Sequence, residues 1–124
     1  MPRIVTVPEN GFEEAVLRHE TVVVDFFATW CGGCRALEPA VEQLARCNPG
    51  IRFVRVDVDD APTLVERFGI RSLPTLIRFD AGTPTTCVIG AFPTALLADR
   101  LHLRLADPQP RALRRPWWSR LAGR

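Results

Sequence analysis

Apolar residues along this chain switch between short continuous or alternating runs and longer stretches spaced by three and four, and each switch marks an element. Ile4 to Val7 reads as a short strand. The segment after it reads as a helix, with Asn10 as N-cap, Glu13 at the capping-box position, and Phe12 and Val16 on one face. TVVVDFFA, residues 21–28, is an almost continuous β-branched and aromatic run, the pattern of a central strand covered on both faces, interrupted by Asp25 alone. From Cys34 onward Leu37, Val41, Leu44 and Ala45 recur at helical spacing until NPG at 48–50 stops the helix. IRFVRVDV, residues 51–58, alternates as a strand, and a short helix over Pro62 to Phe68 follows. PTLIRF and PTTCVI are two strands joined by DAGT at 80–83, a hairpin with glycine at its turn. Leu97, Leu101 and Leu105, at i, i+4 and i+8, mark a last helix.

The order β-α-β-α-β-α-β-β-α predicts an α/β domain: a central mixed β-sheet flanked by helices, parallel where helices cross over and antiparallel at the final hairpin. A chain of 124 residues is one ordinary domain, large enough to bury a core without staples. With 47% apolar and 24% charged residues, and no run approaching the roughly 18 apolar residues of a membrane span, it reads as a soluble protein. Its first residues carry acids and lack an apolar secretory core, which predicts a mature cytoplasmic protein. Charge is uneven: residues 107–124 hold five arginines and one aspartate, net +4, leaving −2 for residues 1–106. We therefore expect a domain over 1–106 and a basic Pro/Arg/Trp tail over 107–124.

At the end of the second strand stands FFATWCGGCRALEP, with two cysteines separated by two glycines. A reducing compartment argues against a structural disulfide, leaving metal binding or redox exchange. Cys31, at the N-terminus of the following helix, meets unpaired N–H groups and the helix dipole, which favour a thiolate and make it the candidate nucleophile. Cys34 lies within reach of the same turn and is the candidate resolving thiol. Gly32 and Gly33 permit close approach of a substrate backbone, and Trp30 supplies a flat apolar shoulder. Cys47 and Cys87 are isolated, and His19 and His102 lack ligand-pair spacing, so no metal is expected. A cluster shared between two chains through paired CxxC motifs is the weaker metal reading.

VVVDFFATWCGGC, with RSLPT downstream, resembles the thioredoxin family from about residue 4 to residue 105. The resemblance implies a thioredoxin fold and a protein-disulfide reductase. In it Cys31 attacks a substrate disulfide, Cys34 resolves the mixed disulfide, and Asp25 is the buried carboxylate that manages the proton of Cys34. Burial in an apolar strand would independently raise the pKa of Asp25. Pro74 corresponds to the family's cis-proline, Pro39 to its kink-forming helical proline, and Gly90 to the glycine of a neighbouring loop; Trp30, Leu73, Pro74 and Gly90 would line the substrate groove. The resemblance also implies disulfide-containing protein substrates, a thioredoxin reductase-type electron donor, and no cofactor beyond a redox-active Cys31–Cys34 disulfide, in a monomer.

Two letters depart from the family pattern. Gly33 replaces the proline of the common CGPC motif, loosening the first helical turn and restoring an N–H. Arg55 aligns with a lysine usual near the buried aspartate; arginine does not release its proton, so if it reaches Asp25 it would hold that carboxylate ionised and oppose the burial effect. Cys47 and Cys87 are read as small apolar fillers. The tail either needs no partner or, through Trp117, Trp118 and Leu121 among Arg114, Arg115 and Arg120, forms a basic aromatic patch. The competing function is therefore a binding module docked through that tail. An oxidase or isomerase would require an oxidising compartment.

Overall fold

The computed structural model describes residues 4–105. Its centre is β2 (Thr21–Phe27), which pairs in parallel with β3 (Arg52–Asp57) and antiparallel with β4 (Thr75–Asp80). β1 (Val5–Thr6) lies outside β3, and β5 (Thr83–Ile89) outside β4, giving the order β1-β3-β2-β4-β5. The boundary at residue 106 and the tail lie outside the described residues.

Alternation along β2 divides the core. Val22, Val24 and Phe26 point to one face, into a cluster with Phe12, Val16, Val54, Leu64 and Phe79. Within it the rings of Phe12, Phe68 and Phe79 meet at tilted or edge-to-face angles, with centroids 5.4–5.8 Å apart. Val23 points to the other face, where Leu37, Val41 and Leu44 of α1 (Gly32–Cys47) and Leu97 of α3 (Thr94–Arg100) cover the sheet. Pro39 stands inside α1 and, lacking an N–H, gives the Arg35 carbonyl no in-helix donor.

Four expectations are corrected. Asn10 caps no helix: residues 9–11 form a 3-10 turn and 13–17 a π-helical turn, and no side chain caps either. Glu9 instead reaches α2 (Pro62–Phe68), where its Oε1 accepts the N–H of Thr63 at 2.7 Å and of Leu64 at 3.3 Å, bonds Ala61 cannot supply as N-cap. The α2 crossover does not keep strands parallel, because β4 enters antiparallel to β2. Leu105 does not continue the last helix. That helix ends at Arg100, the chain turns at His102 with φ 55°, and Arg78 Nη1 donates to the carbonyls of Leu101 and His102. Buried Asn48 then holds the following segment, donating to Arg104 O at 2.8 Å and accepting from Arg104 N at 2.9 Å. Leu105 still packs on the α1/α3 side. Finally, β1 is two residues long, extended only by the bond from Val7 N–H to Arg55 O.

The DAGT hairpin forms as expected, with Ala81 at φ 51° and Gly82 at φ 82°. A Cβ on Gly82 would stand 2.7 Å from the Leu17 carbonyl oxygen. Gly82→Ala should therefore lower stability by about 1–3 kcal/mol. Urea unfolding should show a lower midpoint at unchanged slope.

Candidate active site

β2 delivers the chain, through Ala28 and Thr29, to Cys31, which is the N-cap of α1 at φ −90° and ψ 110°. From there the helix folds back so that the N–H of Cys34 donates to Cys31 Sγ at 3.2 Å. Both sulfurs sit among Phe27, Ala28, Val58 and Leu73. Cys31 is 8% exposed and Cys34 1%, so the first thiol meets the surface and the second faces inward. Burial, foremost, and hydrogen bonding to Cys31 push the Cys34 thiol up to about 12, with the negative charge of Asp25 adding to the rise and the Ala28 backbone opposing it.

Asp25 sits on the same face of β2 as Val23, at 1% exposure. Desolvation raises its pKa to about 6; the charge of Arg55 opposes the rise and that of Glu38 adds to it. Strand register sets Arg55 directly beside Asp25. Its Nε lies 3.4 Å from Asp25 Oδ2, an ion pair whose geometry falls short of a hydrogen bond, so both carboxylate oxygens and Nε stay without a hydrogen-bond partner. The guanidinium is otherwise engaged: it stacks 3.8 Å over the Phe27 ring and its Nη2 pairs with Glu38 Oε2 at 3.1 Å. Arg55 thus reaches Asp25 and opposes the burial effect without overcoming it.

Around the sulfurs stand the remaining residues singled out above. The Leu73–Pro74 peptide is cis, and the Pro74 carbonyl accepts the N–H of Gly90 at 2.8 Å. Gly90 has φ 115°, where a side chain would be strained. A Cβ on Gly33 would lie 3.4 Å from Pro74 Cδ, so the first turn of α1 abuts this proline. Nothing lies within 4 Å of a Cβ built on Gly32, which faces open space. Trp30 is 67% exposed and is pinned by a 2.8 Å bond from its Nε1 to Asp59 Oδ2, while Asp57 in turn accepts the Asp59 N–H.

Asp59 and Glu38 are the residues that sequence reasoning missed. The acidic cluster after the third strand hinted at the first; nothing local signalled the second. Cys47 is buried at the end of α1, whereas Cys87 is exposed on β5, which corrects its reading as a filler. Among the described residues no group of three His, Cys, Asp or Glu comes together as a metal-ligand set, and no helix is long and apolar enough to cross a membrane. A cavity of about 620 Å³ runs along the β1 edge and includes neither cysteine of the pair. A smaller one of about 300 Å³ opens beside Cys34, Glu38 and Arg55.

The Thioredoxin family model matches residues 3–102. The thioredoxin of Pyropia yezoensis is 41% identical over 98 residues, covering 77% of this chain and 92% of that protein. Thioredoxin-2 of Pyricularia oryzae is 41% identical over 89 residues, 72% of this chain; the chain spans about half, 52%, of that longer relative. Among solved structures, the Malassezia sympodialis thioredoxin Mala s 13 superposes with a TM-score of 0.72 at 31% identity, over 82% of this chain and 93% of that one. With its five-stranded mixed sheet and a cysteine pair at the β2–α1 junction, the chain belongs to the thioredoxin family, whose members need no cofactor beyond their redox-active cysteines, and it is a thiol-disulfide oxidoreductase, a protein-disulfide reductase.

Proposed function

We propose that Cys31 attacks, Cys34 resolves and Asp25 takes the resolving proton in the reduction of protein disulfides. The observation that carries this is the Cys34 N–H donated to Cys31 Sγ at 3.2 Å, with Cys34 buried on the side of Asp25. In the first step the Cys31 thiolate bonds to one substrate sulfur, the substrate S–S bond breaks, and the second substrate sulfur leaves and takes a proton. Cys34 then gives its proton to Asp25 and attacks Cys31 Sγ. The mixed disulfide breaks, the first substrate sulfur leaves as a thiolate that takes a proton from solvent, and the Cys31–Cys34 disulfide remains. Two electrons have passed to the substrate, its two thiol protons come from solvent, Asp25 later releases the proton of Cys34 to solvent, and a dithiol reductase of the thioredoxin reductase type returns the electrons.

A thiol pushed up to about 12 stays protonated at neutral pH, which is why resolution needs a base. Asp25, raised to about 6, is ionised there and close enough in pKa to the working pH to take and release a proton. Trp30, Gly32, Gly33, Leu73, Pro74 and Gly90 form the substrate groove in this reading, supported by the exposure of Trp30 and the open space at Gly32. The matching compartment is the cytoplasm, whose reducing poise returns the pair to dithiols. The domain over residues 1–106 works as a monomer, and the basic stretch 107–124 takes no part in its chemistry.

Cys31→Ser should abolish reduction of a generic protein disulfide, and Cys34→Ser should accumulate a mixed disulfide visible on a non-reducing gel. Full activity in Cys31→Ser would sink the assignment. Truncation after Ala106 should leave reduction rate and melting temperature unchanged; loss of either would place the tail within the catalytic domain.

Asp25 also makes a stability prediction. Its folded pKa is raised, so the folded state binds its proton more tightly than the unfolded chain, and stability falls as pH rises from the ordinary aspartate value of 3.8 through about 6. A rise of that size costs about 3 kcal/mol above the window. Asp25→Asn should therefore be more stable than the parent at about pH 8 and equal to it at about pH 4, in urea melts at each pH. The same variant should slow resolution of the mixed disulfide at least tenfold at neutral pH.

A further inference from the structure

We propose that Glu38 is a positioning residue for the proton-transfer step: by holding Arg55 Nη2, it keeps the guanidinium from closing a two-pronged hydrogen bond onto Asp25. Arginine and a carboxylate set side by side ordinarily dock through two parallel N–H···O bonds. Here strand register sets the two residues opposite each other, yet Nε stands 3.4 Å from Oδ2 and both carboxylate oxygens have no hydrogen-bond partner. The guanidinium is spread instead over the Phe27 ring at 3.8 Å, and its Nη2 is drawn to Glu38 Oε2 at 3.1 Å.

Glu38 lies one turn beyond Cys34 on α1 and is half-exposed, so the pair it makes spans from solvent to the buried acid. The cavity of about 300 Å³ shared by Cys34, Glu38 and Arg55 is large enough to admit water.

The charged and titratable groups that face Arg55 and Asp25 are few. From α1 come Cys34, Glu38 and Arg35, and Arg35 Nη2 is spent on the Thr29 carbonyl. On β3 Asp57 is occupied by the Asp59 N–H, and on β4 the residue beside Asp25 is Leu76. No other cation among these neighbours is available to replace Arg55. Held by Glu38, Arg55 lends Asp25 a partial attraction; released, it would tie up both oxygens and lock the carboxylate ionised.

This inference rests on the proton-accepting role given to Asp25, and its test separates the two. The Asp25 carboxyl is titrated by carbon NMR in the full chain, in Glu38→Ala, in Arg55→Met and in the double variant, alongside the pH profile of mixed-disulfide resolution. Glu38→Ala should move the Asp25 midpoint to the acid side by about one pH unit, a tenfold change in its ionisation constant. Adding Glu38→Ala to Arg55→Met should move it far less, and Glu38→Asp should restore most of the parent titration. An equal shift with and without Arg55 would make Glu38 a simple nearby charge and overturn the positioning role, as would no shift. If the midpoints move as expected while resolution ignores them and Asp25→Asn resolves at the parent rate, the base role of Asp25 fails and the Glu38 effect stands.

Discussion

Everything near the cysteines is placed by the double burial of β2. Hydrogen-bonded to β3 on one side and β4 on the other, this strand is also covered above and below, so its register has no freedom. A slip of one residue would turn Asp25 into the aromatic cluster of Phe12, Phe68 and Phe79, where no partner waits. In the observed register Asp25 faces α1, Arg55 stands beside it, and six residues later the chain reaches Cys31 at the helix start. The distance between acid and sulfur is thus a consequence of strand pairing, not of any contact between them.

Such an arrangement sets chemistry against stability. A carboxylate kept from water is a better base and a less stable guest, and the domain carries it because the same strand and its covering helices bury many large apolar side chains. Each of Leu37, Val41, Leu44, Leu97 and Leu101 is buried, and full burial of such a side chain contributes about 1.5–3 kcal/mol. Two of them offset the cost of Asp25. Arg55 moderates that cost without removing it, since an ion pair with no hydrogen bond stabilises less than the geometry would permit.

Legibility in the sequence followed range. The strand over 21–27, the helix after Cys34 and the Ala81–Gly82 turn were readable because period, burial and turn chemistry are encoded within a few neighbouring residues. The readings that failed depended on partners far along the chain. Glu9 caps a helix more than fifty residues away, Arg78 and Asn48 hold the segment after α3, and the direction of β4 is settled by which strand it meets. At the site, the CxxC announced itself by residue type and spacing, while Asp25 and Arg55 were picked out by the family resemblance. Glu38 did not, because its importance lies in a single ion pair set by strand–helix packing.

The same distinction applies to the two glycines between the cysteines, which look alike in sequence and differ in the fold. Gly33 faces the fold: a Cβ there would stand in van der Waals contact with Pro74, whose carbonyl accepts the Gly90 N–H. Gly32 opens outward with nothing near it, beside the exposed face of Trp30. If a substrate chain lies along these residues as proposed, it would meet glycine, a proline peptide and an aromatic ring, that is, backbone and shape. Recognition built on those terms tolerates many sequences around a target disulfide, which suits a reductase of proteins in general better than a receptor for one ligand.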